Sequence, residues 1–259
     1  RRSSLPAVEQ DGRLAFELDF YPVSSYLIVR KDTASEGLSD YRALPTRFDR
    51  VAEIGDGWQA TSEDPNVLVI DYAEVKVGNT GWSERLPMWK AFRTVKQGGL
   101  GSTYTVRYRF TLGEEVPGLK LLVENPERTT VTINGVEFET VGDQWWLDPA
   151  MRVFDAEGCF QVGENVIELT ARLGVGTDVE CVLILGDFTV DREHGYRIMG
   201  ATHELPGHDI TKEGFPFFTG SMTLTKTVEV PEHAGRVYLG FERVDATFSR
   251  VRVNGVQVG

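Results

Sequence analysis

The chain has 259 residues, of which 41% are hydrophobic, 10% aromatic and 25% charged, and its formal net charge is -12. The length allows two compact domains or one large one, and the composition is that of an ordinary soluble protein. A chain this acidic has little basic surface with which to displace counterions, so we expect neither a nucleic-acid partner nor a membrane partner.

Residues 1-100 predict short strands separated by turn residues, without a convincing helix. The stretch from Leu14 to Phe20 alternates apolar and polar side chains, and Val67 to Ile70 is a short apolar run. The stretch from Leu86 to Val95 fits either a helical turn or a strand. Gln97 to Gly101 has the composition of a flexible link and is the predicted domain boundary.

Two near copies of one motif follow, Thr132-Ile-Asn-Gly-Val136 and Arg252-Val-Asn-Gly-Val256. Each places Asn-Gly between alternating residues, which predicts a hairpin with a type I′ turn, because both central residues of that turn need positive φ. In each copy an alternating strand, a turn with Pro and a second strand come before the hairpin. The repeat therefore predicts two copies of one domain type.

The repeat also sets the predicted domain ranges. Residues 101-190 contain roughly seven short strand patterns and no helical one, which is typical of an antiparallel β-sandwich of the jelly-roll kind. Residues 191-259 repeat only the first half, so we expect a truncated second sandwich and a chain that is a fragment of a longer protein. The predicted fold is all-β: a strand-rich segment or linker at 1-100, followed by tandem antiparallel jelly-roll sandwiches, the second incomplete.

Several of these pieces resemble known enzymes. Val131 to Val136, Gly163 to Leu169 and Val251 to Val256 resemble the sugar-binding-domain jelly roll of glycoside hydrolase family 2, also called galactose-binding-like. Ile184 to Phe188 and Gly214 to Gly220 resemble the tandem accessory domains of large bacterial enzymes similar to the α-L-rhamnosidases of glycoside hydrolase family 106. The resemblance spans roughly residues 100-259.

The resemblance implies a function for the whole chain. In such enzymes the catalytic carboxylates lie on a separate barrel of alternating strands and helices, and that alternation is not present in this sequence. We therefore expect a non-catalytic portion of a glycoside hydrolase, which buttresses the catalytic domain of the same parent chain or binds glycan. Two alternatives stay open: a stand-alone carbohydrate-binding or adhesion module, and a purely structural β-sandwich array. We expect a soluble bacterial protein, with secreted, periplasmic and cytoplasmic locations all left open.

Trp145, Trp146 and Asp148 are the candidate carbohydrate-binding residues. Indole faces stack on the apolar faces of pyranose rings, and a nearby carboxylate can accept hydrogen bonds from sugar hydroxyls. Adjacent residues of a strand point to opposite faces, so one tryptophan can pack in a core while the other faces solvent. Packing of both in a core or a domain interface is the competing interpretation.

No catalytic residue is assigned. Glycoside hydrolysis needs two carboxylates about 5 to 9.5 Å apart across the sugar. Pairs such as Asp148 with Asp155, or Asp187 with Asp191, occur often by chance in a chain with 39 acidic residues. We expect these residues to be solvated turn residues.

No metal ligand and no cofactor are assigned either. His203, Glu204, His208 and Asp209 place two imidazoles and two carboxylates in one short loop. Zinc sites commonly use tighter or helical ligand spacing, and the Pro-Gly within this loop prevents a helix, so we expect a connecting loop. A structural calcium ion stays open by resemblance, although no Asp-x-Asp-x-Asp loop is present.

The remaining notable side chains have structural interpretations. Cys159 and Cys181 lack a CxxC pattern and are predicted to be buried thiols, with a single disulfide left open. Trp82 and Trp89 are expected to pin the irregular stretch to a neighbouring domain. Phe215 to Phe218 is expected to be an apolar plug at the end of a sandwich. The sequence predicts no membrane span, since no apolar run reaches about 20 residues.

Overall fold

A computed structural model describes residues 4–18, 26–30, 49–138, 143–207, 209–233, 235–241 and 246–258. The chain forms two compact units, which we describe separately. The central unit spans Ile54–Glu229, and the terminal unit combines Arg1–Glu53 with Val230–Gly259. Both predicted domain boundaries, near residues 100 and 190, therefore fall inside the central unit.

Strands dominate the described residues, as the sequence predicts. Short 3₁₀ helices occur at Pro126–Arg128 and Ile210–Lys212. In chain order the other elements are β1 (Val8–Gln10), β2 (Arg13–Ala15), β3 (Trp58–Ser62), β4 (Asn66–Ile70), β5 (Tyr72–Val77), β6 (Leu86–Pro87), α1 (Met88–Gln97), β7 (Thr103–Leu112), β8 (Lys120–Glu124), β9 (Thr129–Ile133), β10 (Val136–Phe138), β11 (Trp145–Trp146), β12 (Asp148–Asp155), β13 (Gly163–Arg172), β14 (Val182–Gly186), β15 (Thr189–Asp191), β16 (Arg197–Met199), β17 (Glu204–Leu205), β18 (Met222–Thr225), β19 (Arg252–Val253) and β20 (Val256–Gln257).

The larger sheet of the central unit is built around β7. Its strands follow the order β10-β9-β13-β7-β16-β15, and β5, which carries β6 on its other side, also pairs with β7. The sequence of β7 alternates strictly, so Tyr104, Val106 and Tyr108 point into the core while Arg107 and Arg109 lie on the other face. Antiparallel pairing with β13 runs along the whole of β7, and only β16 pairs with it in parallel.

A second sheet, in the order β11-β12-β8-β14-β4, faces the first across the core. Leu121, Phe154 and Ile184 are completely buried and pack in the same cluster as the inward side chains of β7 and β13. Burying each such side chain contributes roughly 1.5 to 3 kcal/mol. The central unit is thus an antiparallel β-sandwich, which confirms the predicted all-β class. The strands β4 and β5, predicted to precede the sandwich, belong to its two sheets.

The one α-helix of the described residues begins in the stretch from Leu86 to Val95, for which the sequence leaves a helical turn and a strand both open. Helix α1 follows Pro87 and buries Ala91 and Val95 in the sandwich core. The helix ends at Gly98. A Cβ atom at this position would overlap the side chain of Val77. The link predicted at 97-101 is therefore a tightly packed turn within the unit.

Both predicted Asn-Gly hairpins are present. Asn134 and Gly135 have φ of 50° and 80°, and Asn254 and Gly255 have φ of 48° and 81°, as a type I′ turn requires. The first joins β9 to β10 in the sandwich, and the second joins β19 to β20 in the terminal unit. The local turn signal holds in both places, although the surrounding structure differs.

The predicted range 191-259 is divided between the two units. Strand β18 pairs with β3 in a three-stranded sheet of the central unit, in the order β17-β3-β18. The second strand predicted before the Asn254 hairpin falls at residues 236–241, and this stretch contains no strand. The terminal unit shows the hairpins β1-β2 and β19-β20 among its described residues, and part of the strand predicted from Leu14 to Phe20 lies outside them.

Candidate functional site

The candidate sugar-binding residues lie at an edge of the five-stranded sheet. Strand β11 is the edge strand and pairs with β12, placing Trp145 opposite Arg152 and Trp146 opposite Asp148. The register shifts between the two tryptophans. Trp145 is 54% exposed, whereas Trp146 is half-buried. The two indoles thus have different environments, as alternation along a strand predicts.

Trp146 packs on the outer face of this sheet. That face carries a second apolar cluster in which Val67, Leu122 and Leu185 are buried and Trp146 and Met151 are partly buried. Phe217 packs against both this cluster and the main core. Trp146 therefore anchors the edge strand, and Trp145 is the indole that remains available to a ligand.

The connection between β11 and β12 is a sharp one at Leu147. Its φ is 63°, in the left-handed region, which costs a residue with a branched side chain about 1 to 2 kcal/mol. The side chain of Leu147 is itself 67% exposed. The left-handed conformation of Leu147 turns the chain directly from β11 into β12.

Asp148 completes the predicted trio. Its Oδ1 accepts a hydrogen bond from the backbone N–H of Ala150 at 2.7 Å, and the residue is exposed. No described residue donates a hydrogen bond to its second carboxylate oxygen. Nearby, the guanidinium of Arg152 lies 3.4 Å from a carboxylate oxygen of Glu127 and donates to the carbonyl of Asp143. Asp148 therefore holds one acceptor position open toward solvent.

Three further carboxylates belong to the same electrostatic group as Asp148, and sequence reasoning missed them. Burial raises the pKa of Glu124, and repulsion from Glu180, Asp178 and Asp148 raises it further. The pKa of Glu180 is raised by burial and then by repulsion from Asp178. We name Glu124, Asp148, Asp178 and Glu180 the acidic edge. The pairing of β8 with both β12 and β14 brings its members together, so no local sequence signal identifies them.

A buried tyrosine fixes part of the acidic edge in place. The hydroxyl of Tyr108, on the larger sheet, donates to the backbone carbonyl of Glu180 at 2.6 Å. Burial raises the pKa of Tyr108 strongly, so it remains a neutral donor. The segment before β14 is thereby tied across the core to β7.

The carboxylate pairs considered from the sequence are separated. Asp148 and Asp155 stand at the two ends of β12, about 23 Å apart along an extended strand, which is too far for a glycosidase pair. A carboxylate oxygen of Asp187 is 4.0 Å from Nε2 of His203. Asp191 instead pairs with His194 at 2.7 Å and with Arg197 at 3.1 Å.

The loop with two histidines does not assemble a metal site among the residues described. Glu204 lies in β17, and the Asp209 carboxylate accepts hydrogen bonds from the N–H and hydroxyl of Thr211. His208 is outside the described residues. Elsewhere in the described ranges, no three His, Cys, Asp or Glu side chains are grouped as ligands.

The two cysteines are free and half-buried, so the prediction of fully buried thiols is corrected. Burial and nearby carboxylates raise the pKa of both thiols, which lowers their reactivity. Phe215 is buried in a small core with Ala60 and Leu205, which agrees with an apolar plug rather than a platform.

The other two tryptophans considered from the sequence also differ from each other. The ring of Trp82 stacks over the Arg107 guanidinium at 3.6 Å within the central unit. Trp89 is 63% exposed on α1. Whether either contacts a neighbouring domain stays a prediction.

Comparison of the chain with protein-family models, curated proteins and solved structures finds no match. The likeness to accessory domains of glycoside hydrolases therefore stays a prediction from the sequence. Among the described residues, none of the helices has the length and apolar character needed to cross a bilayer.

Proposed function

We propose that the chain is the non-catalytic β-sandwich portion of a glycoside hydrolase and that it binds glycan at the edge formed by Trp145, Trp146 and Asp148. Hydrolysis of the O-glycosyl bond belongs, in this proposal, to a domain outside the chain. The exposed indole of Trp145 is the observation that carries the proposal. Its side chain is 54% exposed on an edge strand, where an indole offers an apolar face and an N–H donor to a ligand.

The surroundings of Trp145 support sugar binding over general hydrophobic contact. Trp146 anchors the strand from the opposite face, so the platform is held before the ligand arrives. Asp148 offers a carboxylate oxygen beside the indole, which suits a sugar hydroxyl. An aromatic face with one adjacent acceptor is a minimal subsite for a pyranose ring.

The acidic edge restricts which sugars fit. Asp148 lies opposite Trp146, its charge acts on Glu124, and Arg152 already has an acidic partner in Glu127. Anionic sugars would meet uncompensated negative charge, which costs affinity. We therefore expect neutral sugars to bind at Trp145, and acidic sugars to be rejected there.

Titration with L-rhamnose, D-galactose and short neutral galactan oligosaccharides, followed by tryptophan fluorescence and calorimetry, tests the proposal. One of these ligands should give saturable binding. Trp145→Ala should weaken that binding by about 30-fold, since truncating an anchoring aromatic residue costs around 2 kcal/mol or more. Asp148→Asn should weaken it about tenfold, because the amide oxygen keeps the Ala150 hydrogen bond while the charge is lost.

Trp89→Ala is the matched control, because it removes the other strongly exposed indole of the central unit. This variant should bind the neutral ligand as the parent chain does. Absence of saturable binding to every ligand of the panel would overturn the proposal. Equal affinity of the parent chain and the Trp145→Ala variant would overturn the assignment of the site.

A further inference from the structure

The solvent face of helix α1 carries a stripe of cations. Lys90, Arg93 and Lys96 recur every three residues, so they follow one another on the exposed side at about 4.5 Å of rise each. The opposite side, with Ala91 and Val95, is buried in the sandwich core. The helix therefore cannot turn this stripe away from solvent without unfolding the unit.

These three cations are not compensated. Helix α1 contains no Asp or Glu, and none of the three side chains forms an ion pair with any described residue. Like charges three residues apart on a helix repel each other. The stripe thus has the charge that an anionic ligand requires.

An exposed tryptophan lies at the start of the stripe. The indole of Trp89 is 63% exposed, and Nζ of Lys90 lies 5.3 Å from its ring centroid. Lys96 is the cation with an alternative contact, since its Nζ lies 4.8 Å from the ring of Phe92. An exposed indole beside cations matches a ligand that has both ring faces and negative charges.

We propose that this face of α1 binds an anionic glycan whose sugar rings carry carboxylates. The indole of Trp89 stacks on a pyranose ring, and Lys90, Arg93 and Lys96 pair with carboxylates along the chain. The apolar side of α1 is already used in the core, which disfavours insertion into a lipid surface. The choice of a glycan among polyanions rests on the proposed carbohydrate-binding function, but it uses a different surface and different residues.

Binding to polygalacturonate tests the inference, measured by calorimetry at low and moderate salt with neutral galactan as the reference. The parent chain should bind polygalacturonate, and the affinity should fall as salt rises because exposed charges are screened beyond about 10 Å at 0.1 M. Changing the stripe with K90Q/R93Q/K96Q should weaken binding on the order of tenfold or more. Glutamine is a good helix former, so circular dichroism should show α1 intact. Trp89→Ala should also weaken binding.

The matched control is K120Q/R128Q/K212Q, which removes three exposed positive charges from elsewhere on the central unit. It should retain polygalacturonate binding if the stripe is the site. Trp145→Ala should retain it as well, which separates this site from the one proposed for neutral sugars. Failure of neutral sugars to bind would leave this test unaffected.

Three outcomes would overturn the inference. One is the absence of polygalacturonate binding at low salt. Another is equal loss of affinity in K120Q/R128Q/K212Q, which would mean a diffuse charge effect. The last is binding of polyglutamate or single-stranded DNA as tightly as polygalacturonate with no dependence on Trp89, which would indicate a general polyanion surface.

Discussion

The outer faces of the two sheets differ in whether their charged side chains have partners of opposite charge. On the larger sheet, Arg107 lies 2.7 Å from Glu168 and 3.4 Å from Glu74, and Arg109 pairs with Glu74 and Glu164. On the smaller sheet, apolar side chains cover the outer face and the acidic edge gathers like charges at its end. The ion pairs on the larger sheet, the compensated face, stabilise the fold, whereas repulsion within the acidic edge destabilises it. A destabilising group of this kind is more typical of a ligand-binding region than of a purely structural one.

The largest effect is expected from removing the cation at the centre of the compensated face. Arg107→Ala should lower the free energy of unfolding by about 2 kcal/mol, because two carboxylates then face each other and the Trp82 ring loses its partner. Arg107→Lys should recover part of the loss, since it restores the charge but not the planar stack. Urea unfolding measures both. An Arg107→Ala variant as stable as the parent would show that the face is not stabilising.

A smaller effect of opposite sign is expected at the acidic edge. E124Q/E180Q should raise the free energy of unfolding by about 0.5 kcal/mol, because repulsion at this partly exposed site is screened by water. Glu164→Gln, on the compensated face, is the control and should not stabilise, since it removes a partner of Arg109. A lower free energy of unfolding in E124Q/E180Q than in the parent chain would show that the acidic edge is not destabilising, contrary to the comparison of the two faces.

The smallest effect is expected from pH. The pKa values of Glu124 and Glu180 are raised in the folded state, so the folded chain takes up protons more readily than the unfolded one. The destabilisation caused by burial of these carboxylates and by their repulsion is therefore present at neutral pH, and it is lost as pH falls through the raised folded pKa values toward the ordinary value of 4.5. The stability difference between E124Q/E180Q and the parent should shrink by a few tenths of a kcal/mol between pH 7 and pH 5. If the stability difference between E124Q/E180Q and the parent chain does not change with pH, ionisation of these two carboxylates is not its cause.

Local signals in the sequence account for much of the fold. Strict alternation identifies β7, and both Asn-Gly turns form because these residues accept positive φ. The first turn is also held by contacts that no local pattern reveals. The amide of Asn134 donates to the Cys159 carbonyl and to the side chain of Asn165, and its oxygen accepts from the N–H of Val166.

The features that the sequence does not predict depend on contacts between residues distant in sequence. The residues of helix α1 leave helix and strand both open, because Trp89, Phe92 and Val95 favour strands while Met88, Ala91 and Val95 have helical spacing. The glycine-rich turn at 97-101 resembles a linker in the sequence, since the close approach of Gly98 to Val77 exists only in the folded unit. At the candidate site, alternation along the strand predicts the different environments of Trp145 and Trp146, but the acidic edge depends on strand order and has no local signal.

Strand β11 has a consequence for self-association. An open sheet edge offers backbone groups on which a strand from another molecule can pair, and such pairing leads to aggregation. Strand β11 is only two residues long, its register is shifted, and the chain turns away at Leu147. A strand of a second molecule therefore has no regular row of backbone hydrogen-bonding groups to pair with at β11. The charges of the acidic edge also repel the same charges on another copy of the chain. The features that leave Trp145 open to a ligand also oppose strand addition at this edge of the sheet.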